Sequence, residues 1–240
     1  MTDGVTLDRS DDVWTVTLDR PDKRNALSAE LVESLLELVE RAPGEGATVL
    51  VLRGEGKSFC AGFDLSDAQE RTEGELVLRF IRVEMLLQAV ASSPCLTVGL
   101  AHGRNFGAGV DLIAACRQRY STPDATFRMP GLKFGLVLGT RRFGEIVGRD
   151  RAASLQEEAA TFDAHQASDM GFLHGIMDQA EWPQVVEKAR AKAAMLPDWS
   201  RRALYDVLSS AQADADLAWL VRSAARPGLK QRIAEYLRAA

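Results

Sequence analysis

The amino-acid sequence predicts an α/β fold that ends in a helical region, and three observations lead there. Two short apolar runs, residues 48–52 (TVLVL) and 96–101, have the length and composition of strands buried on both faces. Segments with helical spacing of apolar residues lie between and around them. After Gly148 the periodicity is helical, through residues 151–160, 182–196 and 214–237.

Taken in order, residues 13–18 alternate, with Trp14, Val16 and Leu18 on one face and Thr15 and Thr17 on the other, as in a half-buried strand. Residues 20–25 (RPDKRN) form a polar turn. Ser28 is placed to cap the next helix, where Leu31, Leu35, Leu38 and Val39 recur at helical spacing until Pro43-Gly44. Strand 48–52 follows, then a glycine-rich irregular stretch over residues 53–65. A helix over 75–91 carries Leu76, Phe80, Val83, Leu87 and Val90 on one side. Strand 96–101 leads into a turn over 103–109 and a short helix over 110–116. The last helical stretch is broken at Pro227-Gly228. There is no repeat, linker or low-complexity segment.

A chain of 240 residues, 46% hydrophobic and 26% charged, supports a sizeable core and is not disordered, collagen-like or coiled-coil. Its net charge of −5 argues against a nucleic-acid partner. The cysteines Cys60, Cys95 and Cys116 form no CxxC pair, so neither a disulfide scaffold nor a cysteine zinc site is expected, and a reducing compartment fits. The acidic start MTDGVTLDRSDD has no basic stretch and no apolar core. The uncharged stretch 85–103 contains Ser92-Ser93-Pro94 and reads as helix, turn and strand, not as a membrane span. A cytoplasmic protein without a membrane partner is the expectation. His165 and His174 have no evident ligand partners, so no metal site is expected.

Three motif readings fail on their spacing. Gly56-Lys57-Ser58 follows a strand, but a P-loop needs glycine at position 51, which is valine. Gly54-Glu55-Gly56 would open a dinucleotide fingerprint, but Phe59 stands where its third glycine belongs. No GxSxG elbow exists. Two small-residue turns remain: Cys60-Ala61-Gly62-Phe63-Asp64-Leu65 after one buried strand, and Gly107-Ala108-Gly109 before a helix. They are either ordinary tight turns or a pair of backbone N–H donors aimed at one carbonyl oxygen. Glycine turns are common, and the residues alone favour the first reading.

Three blocks then resemble a known family: residues 20–28 (RPDKRNALS), 57–65 (KSFCAGFDL) and 102–112 (HGRNFGAGVDL) look like those of the crotonase superfamily, the enoyl-CoA hydratases and isomerases, in order and spacing. A weaker likeness runs through 127–130 and 145–152. The resemblance implies a spiral of ββα repeats, with a core over residues 1–185 holding a CoA-thioester site. It assigns residues 186–240 to a helical oligomerisation region, packing as a homotrimer or dimer of trimers. It implies an acyl-CoA thioester as ligand, with coenzyme A part of the substrate and no separate cofactor. The oxyanion hole would be the N–H groups of Phe63 and Ala108, the latter intact if Ala108 avoids positive φ. Substrate contacts would fall to Lys23, Arg24, Ala61, Gly62, Asp64, Leu65 and Gly107.

The first of the two hydratase glutamates falls on Asp111, which is either a helix-capping aspartate or a base whose ionised form the helix dipole favours. The Gly-Val-Asp-Leu stretch most resembles the dienoyl-CoA isomerases. The second glutamate, expected after Pro130, is Gly131. An isomerase-like enzyme is therefore the leading expectation. The alternatives are a catalytically impaired acyl-CoA binder and a divergent thioester hydrolase or decarboxylase. His102, Glu84 and Glu145 are possible substitute acids. Lys133, Arg141 and Arg142 could bind a carboxylate-bearing acyl group or form a solvated cluster.

Overall fold

The computed structural model describes residues 4–209 and 212–239. The alternating segment 13–18 is strand β2 (Val13–Leu18), paired antiparallel to β1 (Val5–Ser10) in a register that puts Val5 opposite Leu18. Helix α1 (Ala29–Arg41) starts where Ser28 Oγ accepts from the Leu31 N–H at 3.3 Å, and it buries its leucine stripe. Strand β3 (Val49–Gly54) pairs parallel to β2 and is buried along its apolar run.

Helix α2 (Glu73–Ser92) begins at a capping box in which Thr72 and Glu75 exchange hydrogen bonds. Strand β4 (Leu96–Ala101) is buried throughout and lies parallel to β3. From there the chain alternates between two sheets. After β4 it crosses to β5 (Arg104–Phe106), turns through α3 (Ala108–Ala115), returns as β6 (Gln118–Ser121) and crosses again to β7 (Thr126–Arg128). Helices α4 (Thr140–Val147) and α5 (Arg149–Glu158) precede β8 (Thr161–Asp163), and α6 (Ala164–Asp169) precedes β9 (Gly175–Ile176).

The first sheet has the order β1-β2-β3-β4-β6-β9, parallel except for its first pair, and the second has the order β5-β7-β8. This winding of strand, strand and helix is the expected ββα spiral. One core lies between the large sheet, α1, α2 and α3. A second lies on the other sheet face under α7 (Trp182–Ala193), where Trp182, Val185 and Ala189 meet Val51, Val98 and Leu100. After α8 (Asp198–Leu208), helices α9 (Ala213–Ala224) and α10 (Leu229–Ala239) enclose a third core with Leu76, Phe80 and Phe134.

Several expectations need correction. The turn over 103–109 contains β5, and α3 starts at Ala108 instead of 110. The region after Gly148 is not all helix, since β8 and β9 lie in it. Strands of two or three residues are too short for alternation to register in sequence. Helices α4 and α8 also go beyond the expectation. A division at residues 185–186 falls inside α7, which packs on the sheet. Among the described residues no helix is long and apolar enough to cross a membrane.

Candidate functional site

The two small-residue turns meet. Phe59 N donates to His102 O at 3.0 Å, and Phe106 N donates to Cys60 O at 3.2 Å, so segment 58–62 runs against segment 102–108. Glycine is required on both sides of the seam. A Cβ on Gly62, whose φ is +85°, would sit 2.3 Å from Phe106 O and 3.3 Å from Ala108 N. A Cβ on Gly109 would sit 2.3 Å from Cys60 O. The first turn is fixed from the other side by Ala61 N to Arg24 O at 2.9 Å and Leu27 N to Gly62 O at 2.7 Å.

The sequence RPDKRNALS is a clamp for this arrangement. Asn25, fully buried, donates to Glu55 O and Ser58 O and accepts from Arg20 N. Arg20 in turn holds Ala26 O and the Asp64 carboxylate. Against this frame the N–H groups of Phe63 and Ala108 donate to no other group among the described residues. Ala108 opens α3 at negative φ, and the positive φ of this turn (+48°) is carried by Gly107. The condition for alanine at this position is therefore met. A free N–H at the start of a helix suits a developing negative oxygen.

Both turns border a cavity of about 440 Å³. Of the sequence-derived site residues, Arg24, Ala61, Gly62, Phe63, Leu65, Gly107, Ala108 and Asp111 line it. Lys23 is exposed on the adjoining turn, and Asp64 turns its carboxylate to Arg20 and Ser66. Burial acts to raise the Asp64 proton affinity, but the bonds from Ser66 and Arg20 outweigh it and hold the group below the ordinary aspartate range.

Asp111 is the single carboxyl group on the cavity wall among the described residues, and it is 2% exposed. Burial pushes its proton affinity well above the ordinary aspartate range; the Arg142 charge opposes this and the Glu84 charge reinforces it. Burial thus acts on Asp111 against the ionised form that the start of a helix favours. Its Oδ1 has no hydrogen-bond partner and abuts the Cα of Gly139, where a Cβ would come within 1.9 Å.

The other candidate acids lie elsewhere. Glu84 is buried behind Asp111 and pairs with Arg142 at 3.4 Å. Glu145 is exposed and pairs with Arg141. His102 binds Gly56 O at 2.9 Å beside Trp182, outside the cavity wall. Arg141 and Arg142 are committed to internal carboxylates and Lys133 is exposed, so these three do not form a carboxylate site in the cavity. Gly131 lines the cavity, and a Cβ there would lie 3.1 Å from Leu136 O.

The sequence did not reveal the rest of the cavity wall. Phe80 comes from α2, Leu132 and Phe134 from the turn after Pro130, Gln156 from α5, and Tyr236 and Leu237 from α10. Amphipathic spacing shows that such residues face inward but not what they face.

Comparison with known proteins places the chain in a family. The family model for enoyl-CoA hydratase/isomerase matches residues 8–232. The chain is 32% identical over 205 residues to "Probable enoyl-CoA hydratase echA6" of Mycobacterium tuberculosis, covering 84% of this chain and 82% of that one. A Bordetella parapertussis crystal structure with a provisional enoyl-CoA hydratase/isomerase name superposes with a TM-score of 0.96 at 55% identity, over 98% of both chains. A provisionally named enoyl-CoA hydratase from Thermobifida fusca YX, solved with acetoacetyl-CoA, superposes with a TM-score of 0.78 at 26% identity, over 97% of this chain and 95% of that one. With the family model spanning nearly the whole chain and two interlocked turns presenting free amides beside a buried carboxyl, the chain belongs to the enoyl-CoA hydratase/isomerase family of the crotonase superfamily.

Proposed function

We propose that this chain moves a double bond in an unsaturated acyl-CoA by a proton shift, with Asp111 as the proton carrier. The observation that carries the reading is that, among the described residues, one carboxyl group and no second shares the cavity wall with the free amides of Phe63 and Ala108. Those amides donate to the thioester oxygen, so that negative charge arriving there is stabilised. Asp111 takes a proton from the carbon next to the unsaturation. The electron pair enters the conjugated enolate, and the proton returns at the far carbon. A shift of this kind needs one group that both accepts and releases a proton. Adding water needs a base for the water and an acid for the α carbon, and Gly131 supplies neither. Burial raises the proton affinity of Asp111, the direction that makes it a stronger base once ionised.

In this reading Lys23 and Arg24 meet the CoA phosphates. The backbone around Ala61, Gly62, Asp64, Leu65 and Gly107 holds the thioester end, and the apolar wall of Phe80, Leu132 and Phe134 takes a fatty acyl chain in cytoplasmic metabolism. The test is conversion of a 3-enoyl-CoA to the conjugated 2-enoyl-CoA, followed by the absorbance of the conjugated thioester. Asp111→Asn is expected to cut turnover at least about 10²-fold while butyryl-CoA affinity changes little. Unchanged turnover sinks the assigned role.

Gly131 favours a second reading, an acyl-CoA-binding relative without turnover, which predicts butyryl-CoA binding but no product from 2-enoyl- or 3-enoyl-CoA. Release of free CoA would instead indicate hydrolysis. Cys60 is an unsuitable nucleophile for that, since burial pushes its thiol up to about 12. We also propose assembly as a trimer through the C-terminal helices, where Trp199, Val207 and Leu208 of α8 are more than 70% exposed. A monomer by light scattering would rule this out.

A further inference from the structure

Outside the residues that line the cavity lies a buried charge cluster that the reaction as described does not use. Glu84 on α2 is 1% exposed, and the Arg142 side chain on α4 is 11% exposed. Arg142 Nη2 reaches Glu84 Oε1 at 3.4 Å, and Gln88 donates to the same oxygen at 3.0 Å. Asp216 on α9 lies 3.9 Å from Arg142, but its carboxylate is taken chiefly by Arg141 at 2.9 and 3.1 Å. Arg142 is therefore held without being used up, and its Nη1 is buried with no partner.

The fold brings this cation to Asp111. Gly139, the N-cap of α4, touches Asp111 Oδ1, and Arg142 stands three residues further on, in the first turn of that helix. Asp111 Oδ1 likewise has no partner. Two charged groups act on Asp111 from the packed elements, Arg142 of α4 and Glu84 of α2. Arg24 and Arg128 lie on the cavity side.

We propose that Arg142 is a positioning residue that keeps Asp111 able to ionise, and that Glu84 opposes it, so that the pair sets the charge state of the proton carrier. The inference deepens the proton-shift reading and rests on it for its meaning in catalysis. In a dry interior a positive and a negative neighbour act on a carboxyl with little screening. Without Arg142, two buried carboxyl groups would face each other with no cation, and both would hold their protons. Without the Glu84 charge, Asp111 would ionise more readily. The two substitutions therefore act in opposite directions, which simple loss of packing would not produce.

The experiment is a pH titration of the Asp111 carboxyl carbon by NMR in labelled protein without substrate, the resonance being assigned by its loss in Asp111→Asn. Glu84→Gln is expected to move the midpoint down and Arg142→Gln to move it up, each by about one pH unit or more. Arg142→Lys, which keeps the charge, should return most of the shift. If Arg142→Gln does not fold, Glu84→Gln and Arg142→Lys still give a shift and a near-null result. Midpoints that stay at the wild-type value, or that move the same way in both variants, overturn the inference. Since the titration needs no substrate, it fails separately from the proton-shift reading. Full turnover in Asp111→Asn would sink that reading while leaving the electrostatic coupling measurable. Where both stand, the acid limb of the isomerisation rate should follow the titration midpoints across the variants.

Discussion

At Gly139 there is no room for a side chain, because the Asp111 carboxyl occupies the space and the backbone has φ of +63°. Gly139→Ala should therefore lose about 1–3 kcal/mol of stability through left-handed strain and displacement. It should also reduce turnover more than acyl-CoA affinity, as denaturation and single-turnover measurements would show. Asp111 has a thermodynamic consequence of its own. Its proton affinity is raised by folding, so the folded chain binds more protons than the unfolded one above the ordinary aspartate range. Stability then falls as pH rises through that window and is fully present below it. Glu84, also raised by burial, contributes in the same sense. Thermal unfolding followed from about pH 5 to about pH 8 should show a smaller loss in Asp111→Asn than in wild type; an equal loss in both would contradict the burial argument. The residue type at 111 was legible in the sequence. Its protonation preference was not, because that depends on what surrounds the side chain.

The two turns behave as a single interlocking element. Each contributes a glycine whose missing Cβ makes room for a backbone carbonyl of the other, and each leaves one amide free. Gly62→Ala should separate them. With φ of +85° and a contact of 2.3 Å, it is expected to cost several kcal/mol, on the order of 3, and to abolish turnover even where the chain still folds. Ala108→Gly meets no such conflict and should leave turnover within about threefold of wild type, since a helix-start glycine costs less than about 1 kcal/mol. The presence of these turns was visible as runs of small residues. Their contact was expected only through the family resemblance, since Gly62 and Gly109 are far apart in sequence and nothing local says that strands β3 and β4 are neighbours. The short strand β5, which leads into the second turn, is also illegible in the sequence because three residues cannot display a period.

Across the whole molecule, the C-terminal helices close what the first half builds. Tyr236 and Leu237 of α10 line the cavity, and the Tyr236 ring packs against Phe134 at 5.2 Å between centroids. Arg232 ties α10 to Phe134 O at 3.0 Å. Tyr236→Ala should weaken butyryl-CoA binding by about 1–2 kcal/mol through lost aromatic contact. Longer acyl chains should lose less, because the space opened can receive them; equal losses at every chain length would place Tyr236 away from the acyl group. The resemblance to known blocks supplied the amide donors and the acid missing at Gly131; the sequence by itself determined the fold class, the long helices, the buried strands and the two small-residue turns. These depend on residue type and local spacing, which periodicity and turn chemistry report directly. Only the tertiary structure decided which side chains share a cavity, that Asp111 is buried, and that Arg142 and Glu84 form a buried pair outside that cavity. Proximity and dielectric surroundings are properties of chain segments brought together from α2, α3, α4 and α10, and no single stretch of sequence carries them.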